Sequence, residues 1–392
     1  MSSLMTLFDS NIETIGDRAK GYAEPVFEYY NRSTRKDVVR VKQVLEDWFA
    51  RFPKDTDLRQ RFRSRIGRQH QGAFFELYLH ELLTRLGYTV DAHPQVDEPT
   101  HPDFLASRNG DRQFYLEATI AAESDEEAGQ QKLIDQAYDT LNRMRTPNFL
   151  LALRVQGAPQ TAPRGRKLRE RLERWLATLD WASVKEAWDK DGFEGLPIFP
   201  WEHDGWSLLI QPIPKAQEHR GSDDIRPIGF NMPFGVFPVT VDEDIKRAVQ
   251  VKNKYGTLDL PFVVAINITG DFCSQYDVAN ALFGHETVIF TPTGTRSGDR
   301  LHDGAWDGPK GPQNTTISAV LVYRQLNMWT AKDVVPWFMH NPWARIPLPP
   351  DKLPFTQFVP DSDTRQLKKV DGRLPGLYLD LPEPWPPEDS DL

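Results

Sequence analysis

The sequence predicts an α/β protein, and three observations carry that expectation. Helix-period and strand-period stretches alternate from residue 66 through residue 284. Asn109-Gly110 separates the apolar runs "DFLAS" and "QFYLEATIA", a strong signal for a two-residue hairpin. The chain has 392 residues, 39% hydrophobic and 26% charged, which suffices for two domains or one large α/β unit.

Taken in order, a helical opening runs to about residue 57, where Val38, Val41, Val44, Leu45 and Trp48 recur at helical spacing. A long helix, "HQGAFFELYLHELLTRLG", ends at Gly87, whose missing Cβ suits the left-handed residue after a helix. "YTVDAHP", "DFLAS" and "QFYLEATIA" are strands, "EAGQQKLIDQAYDTLNRMR" a helix and "NFLLALRVQ" a buried strand. Beyond residue 160 come an arginine-rich helix, the strand "GWSLLIQPIP", the helix "DEDIKRAVQVKNKYG", the strand "LPFVVAINI" and the helix "QYDVANALFG". The pair at 243–268 echoes the pair at 127–156. This divides the chain into an N-terminal helical segment (1–60), a core (61–160), an α/β extension or second domain (161–341) and a proline-rich tail (342–392) that reads as extended and semi-rigid.

Composition narrows the functional classes. Cys273 is the single cysteine, so neither an intramolecular disulfide nor a cysteine-rich zinc site is available, and a cytosolic protein is expected. No stretch approaches the roughly 20 apolar residues of a membrane helix, and the N-terminus lacks the pattern of a signal peptide, which again predicts a cytoplasmic location. The nine histidines show no closed zinc spacing, and no glycine-rich nucleotide loop is present. The net charge of −9 opposes a surface uniformly coated by nucleic acid. Arginine is nevertheless concentrated. The run from 164 to 174 is laced with Glu170 and Glu173 and reads as a solvated helix face. Arg59, Arg61, Arg63, Arg65 and Arg68 form a run with no acidic partner inside it, which makes them the expected phosphate contacts.

The carboxylates separate by their neighbours. Glu76 lies among Ala73, Leu79, His80 and Leu83 on a mostly apolar stripe and should be buried, whereas Glu81, four residues before Arg85, reads as a surface glutamate. In "QFYLEATIA", period-two alternation puts Gln113, Tyr115, Glu117 and Thr119 on one face, and Phe114, Leu116, Ala118 and Ile120 on the core face. Asp103 heads the partner strand. A plain Asn-Gly turn would pair it with Leu116, whereas one β-bulge pairs it with Glu117, so a bulge is expected. Three converging carboxylates would suit a hard divalent cation, while capping, arginine pairing and simple toleration are the structural alternatives.

An inward glutamate on a helix, Pro102-Asp103 at the head of a strand and Glu117-Ala118-Thr119 on the next, followed by helix and strand, resemble the PD-(D/E)XK nuclease superfamily over residues 66–156. The resemblance implies a restriction-endonuclease-like core of helix, three strands, helix and strand. It implies Asp103, Glu117 and Glu76 as ligands of Mg²⁺ (or Mn²⁺), and hydrolysis of phosphodiester bonds in double-stranded DNA, in restriction or another defence against foreign DNA. Thr119 stands where the superfamily has a lysine that positions the attacking water, and its hydroxyl brings no positive charge. Lys132, or Lys254 and its neighbour Lys252, could restore that charge from a helix. The alternative expectation is a catalytically silent member that binds nucleic acid or a protein as a scaffold. A homodimer or protein partners are left open.

Overall fold

The computed structural model describes residues 5–54, 56–97, 99–121, 125–222, 225–233, 241–256, 258–270, 273–291, 294–361 and 367–386. The helices are α1 (Val26–Arg32), α2 (Lys36–Arg51), α3 (Thr56–Phe62), α4 (Gly67–Arg85), α5 (Asp125–Leu141), α6 (Gly165–Leu176), α7 (Trp181–Asp191), α8 (Val241–Lys252) and α9 (Gln275–Phe283). The strands are β1 (Thr89–Ala92), β2 (Phe104–Arg108), β3 (Asp111–Ala121), β4 (Phe149–Gln156), β5 (Phe199–His203), β6 (Trp206–Pro214), β7 (Ile228–Pro233) and β8 (Phe262–Ile268). They continue as β9 (Glu286–Thr291), β10 (Gly294–Arg300), β11 (Asp307–Gly308), β12 (Gly311–Pro312), β13 (Ala319–Arg324), β14 (Trp337–His340), β15 (Gln357–Pro360) and β16 (Leu367–Val370). The protein is of the mixed α/β class.

The chain forms two compact units, one of Met1–Ala19, Pro25–Ala122 and Val239–Leu392, the other of Lys20–Glu24 and Glu123–Pro238. In the first unit, eight strands among the described residues form one sheet in the order β1-β2-β3-β8-β13-β14-β15-β16. β1, β2 and β3 are an antiparallel meander, and β8 lies parallel to both β3 and β13. Every residue of β8 is buried, the pattern of a central parallel strand covered on both faces. Its side chains alternate accordingly. Val263 and Ala265 join the core under α2 and α4 with Trp48, Phe75, Phe114 and Leu116, while Val264 and Ile266 join Tyr115, Ile245, Val249 and Leu282 under α8 and α9. The hairpin between β2 and β3 turns at Asn109 (φ 55°) and Gly110 (φ 87°), the two positive φ angles that make Asn-Gly the favoured pair there.

The second unit has a four-stranded sheet, β5-β6-β4-β7, with β4 antiparallel to β6 and parallel to β7. α5 and α6 contribute Tyr138, Leu141, Leu168 and Leu172 to a core shared with Leu151, Leu153, Trp206 and Ile210 of the strands. The arginines of α6 pair with their own helix, Arg166 with Glu170 and Arg169 with Glu173, as the spacing predicts.

Three expectations need correction. The helix and strand at 127–156 do not complete the first sheet. They become α5 and β4 of the second unit, and their echo, α8 and β8, lies against β3 instead. A division of the chain therefore falls inside segment 61–160. The proline-rich segment is not a free tail, because β15 and β16 extend the sheet and Leu348, Leu353, Phe355, Leu379 and Trp385 are buried in its core. Glu81 is fully buried. It keeps Arg85 and adds a two-pronged pair with Arg51 of α2, at 2.8 and 2.9 Å, a partner that spacing along one helix cannot indicate. Cys273 is buried, and burial pushes its thiol up to about 12.

His285, just beyond α9, links the start of α8 to the loop before β11. Its Nδ1 lies 2.8 Å from Asp303 and its Nε2 2.8 Å from Asp242. The Asp303 hydrogen bond, helped by the charges of both aspartates, raises the His285 pKa above the ordinary histidine value. A raised folded-state pKa contributes stability fully below the unfolded value of about 6.5, and that contribution is lost as pH rises through the folded value. The urea midpoint of the wild type should therefore fall relative to that of His285→Asn as pH rises above about 6.5. Parallel curves for the two proteins would assign the pH dependence to other groups.

Candidate functional site

Glu117 is 3% exposed and leaves β3 on the face packed by α8. A carboxylate so deeply covered requires positive or hydrogen-bonding partners. Two come from the C-terminal end of α8 and the turn that follows it. Lys252 Nζ donates to Glu117 Oε1 at 2.7 Å, and the Tyr255 hydroxyl lies 2.8 Å from Glu117 Oε2. The same hydroxyl is 2.8 Å from the His101 carbonyl, so one phenolic hydrogen serves two acceptors. Burial, then the adjacent Glu117 charge, raises the Tyr255 pKa. Lys254 Nζ stands farther from Glu117, at 3.7 Å, and lies over the Tyr255 ring.

The expected bulge is present. β2 and β3 pair Arg108 with Asp111 and Ser107 with Arg112, then skip Gln113, so that Ala106 meets Phe114 and Phe104 meets Leu116. Continued by one residue, this register sets Asp103 opposite Glu117 and on its face. Asp103 Oδ2 accepts the Ala118 amide at 2.7 Å. Burial, with the Glu117 and Glu76 carboxylates nearby, pushes the Asp103 carboxyl well above the usual range. Asp103 is thus a protonatable group beside a buried carboxylate held by an ammonium and a phenol. Such a pair can divide the acid and base roles of a hydrolysis.

Glu76 is 8% exposed, buried as predicted, but it reaches the site from α4, the helix covering the opposite face of the sheet. Both its oxygens are taken by Arg61, at 2.7 Å each, while Arg61 Nε binds Asp57. Among the described residues, no group of three or more His, Cys, Asp or Glu is arranged to hold a metal ion. The sequence reading of three ligands around one ion thus becomes two facing carboxyls, with Glu76 neutralised by arginine.

The remaining candidates fall as follows. Thr119 is half-buried opposite Ile266 of β8 and brings no charge. Lys132 is exposed on α5 and belongs to the second unit. Lys254, the other lysine singled out, follows the end of α8, and Lys252 makes the direct pair instead. The arginine run does have acidic partners, supplied from outside it. Arg63 is held by Asp9 and the Leu7 carbonyl, Arg59 by the Thr6 carbonyl, and Arg65 by Glu28 at 3.0 Å. Arg65 and Arg68 are the exposed members. Tyr255 was not singled out by sequence. Its position three residues after Lys252, in "VKNKYG", is the signal that was present.

Neither a family model, nor a curated protein, nor a solved structure matches this chain. Among the described residues, no helix is long and apolar enough to cross a membrane.

An aspartate whose folded pKa is raised holds an extra proton in the folded state, so stability declines as pH climbs through that folded value. Asp103→Asn retains an acceptor for the Ala118 amide and removes the crowded charge. Its melting temperature at pH 7 should equal or exceed that of the wild type, and a rise in melting temperature on adding Mg²⁺ should be confined to the wild type. A lower melting temperature for Asp103→Asn would mean that the aspartate is structural.

Proposed function

We propose that the first unit is a metal-dependent nuclease core that hydrolyses phosphodiester bonds in DNA. The observation that carries this reading is the meeting of Asp103, Glu117 and Lys252 on one sheet face, through a bulged hairpin and a helix end. The order of α4, the β1-β2-β3 meander, α8 and a parallel β8 supports it, because that is the order a restriction-endonuclease-like core requires. The resemblance seen in sequence is retained with α8 and β8 in place of the helix and strand at 127–156.

The donor set fits a divalent cation. Burial, and then the Glu117 and Glu76 carboxylates nearby, raises the Asp103 pKa, so the site has negative charge that a cation would relieve, and Mg²⁺ binds through one or two carboxylates while keeping several waters. Asp103 and Glu117 would hold the ion, which supplies Lewis-acid polarisation of the phosphoryl oxygen and an activated water. Lys252 puts an ammonium where the superfamily's motif lysine acts, stabilising negative charge on the attacked phosphate and orienting the water. Tyr255 holds the Glu117 carboxylate in place. Arg61 holds Glu76 in place on α4 through both carboxylate oxygens. A role in restriction or defence against foreign DNA rests on the resemblance.

A second reading, a silent nucleic-acid-binding or protein scaffold, is favoured by the same pairs, since Arg61 and Lys252 already neutralise Glu76 and Glu117. Cleavage assays separate the two. Glu117→Ala should abolish Mg²⁺- or Mn²⁺-dependent cleavage of duplex DNA, and Lys252→Met should slow it by roughly 100-fold or more. Thr119→Lys should preserve or raise activity and should partly rescue Lys252→Met, with melting temperatures confirming folding. DNA that is bound yet never cut with either metal, by the wild type or by Thr119→Lys, would establish the scaffold reading.

For DNA binding, the exposed Arg65 and Arg68 are the members of the run that can meet phosphate. Replacing both by alanine should weaken binding equally for all sequences and reduce the slope of log affinity against log salt by about 2. An unchanged slope would leave the run a structural element.

A further inference from the structure

Helix α6 of the second unit carries its cations in two arrangements. Arg166 pairs with Glu170 at 2.7 Å and Arg169 with Glu173 at 3.8 Å, and these pairs engage both glutamates of the helix. Arg164, Lys167, Arg171 and Arg174 remain. They follow one another at intervals of three, four and three residues, which sets them along one side of the helix. All four are exposed, and among the described residues none of them makes an ion pair. A separate side, formed by Leu168, Leu172 and Leu176, is buried in the core of the unit.

Two further features distinguish this stripe from an ordinary solvated face. The first turn of α6 holds no acidic residue, while Arg164 stands at its N-cap and Lys167 within the turn. The positive end of a helix dipole disfavours cations and favours an anion, so this placement is unfavourable until an anion neutralises it. The stripe is also held in place. The Arg171 guanidinium lies over two buried rings of β5, 5.8 Å from the centre of Phe199 and 5.2 Å from that of Trp201, and Arg174 Nε donates to the Glu170 carbonyl at 3.2 Å. A guanidinium fixed on an aromatic face loses little further freedom when it meets an anion.

We propose that this side of α6 binds the phosphate backbone of duplex DNA. From Arg164 to Arg174 the stripe is roughly 15 Å long at the helical rise. Phosphates of one strand recur about every 3.4 Å along the duplex axis, so several fall within that length. Three of the four cations are arginines, whose planar forks match phosphate oxygens. A lipid surface fits less well, because a helix lying in a membrane interface needs a free apolar side, and Leu168, Leu172 and Leu176 are committed to the core. The choice of DNA over an acidic protein segment rests on the nuclease reading of the first unit. The affinity of the stripe for a polyanion does not.

Binding of the full chain to a labelled duplex in EDTA, where no metal-dependent cleavage occurs, reads the stripe through the slope of log affinity against log salt. Replacing Arg164, Lys167 and Arg174 together by glutamine should reduce that slope by about 3 and weaken binding equally for all duplex sequences, with melting temperatures confirming the fold. Arg171→Gln, made separately because its guanidinium packs on Phe199 and Trp201, should reduce the slope by about 1. Arg166→Gln combined with Glu170→Gln removes a pair without changing the net charge and should leave the slope at the wild-type value. A wild-type slope in the triple variant, or an equal loss in the paired variant, would overturn the proposal. Polyglutamate, and vesicles of phosphatidylserine with phosphatidylcholine, test the other anions. Stripe-dependent binding of either one without stripe-dependent binding of the duplex would overturn the assignment to DNA. Stripe-dependent DNA binding by a chain that cuts no DNA with Mg²⁺ or Mn²⁺ would instead overturn the nuclease reading and leave this surface standing.

Discussion

The first unit depends on one buried carboxylate that cannot remain alone. Removing Glu117 from water costs several kcal/mol unless opposite charge and hydrogen bonds replace the solvent. Lys252 and Tyr255 provide them from a segment that follows the second unit in the chain. Glu117 thereby ties β3 to the end of α8, while β3 and β8 pair beside it with Glu117 opposite Val264. The sheet, the helix above it and the candidate chemistry meet at this side chain.

The two faces of the sheet solve the same electrostatic problem with different cations. On the α4 face, arginines serve. Arg61 grips Glu76, while Arg51 and Arg85 grip Glu81. A planar guanidinium matches both oxygens of a carboxylate and stays charged in a partly buried setting. On the α8 face, lysine serves, leaving a compact ammonium beside Glu117 and a neighbouring Asp103 whose proton is held unusually tightly. The arginine pairs are geometrically saturated and favour structure. The lysine pair has beside it a second buried carboxyl, Asp103, without a cation of its own in direct contact among the described residues, and clustered buried carboxyls of this kind mark candidate functional sites.

The chain between β3 and α8 folds as a unit with its own sheet and its own core. The helix-strand pair that sequence placed in the first sheet supplies that unit's helix α5 and central strand β4. The echo between 127–156 and 243–268 is thus a case of two similar amphipathic pairs with different partners. Hydrophobic periodicity states that a strand will be buried and does not state against which sheet.

Much of the site was written locally. The Asn109-Gly110 turn, the alternation that separates Glu117 from Leu116, the apolar surroundings of Glu76 and the need for a bulge to bring Asp103 opposite Glu117 all follow from neighbours within a few residues. Such features depend on turn geometry and on periods of 2 and 3.6 residues, which the order of amino acids specifies directly. Tertiary structure alone decided the partners: Arg61 for Glu76, Arg51 for Glu81, Lys252 and Tyr255 for Glu117, and β8 for β3. It also turned the proline-rich C-terminal segment into sheet and core, and Arg61 and Arg63 of the arginine run into counter-ions of Glu76 and Asp9. Ion pairs and parallel strand pairs join residues of any separation. Which of several charged or β-forming candidates becomes the partner depends on packing of the whole unit, and no local period encodes it.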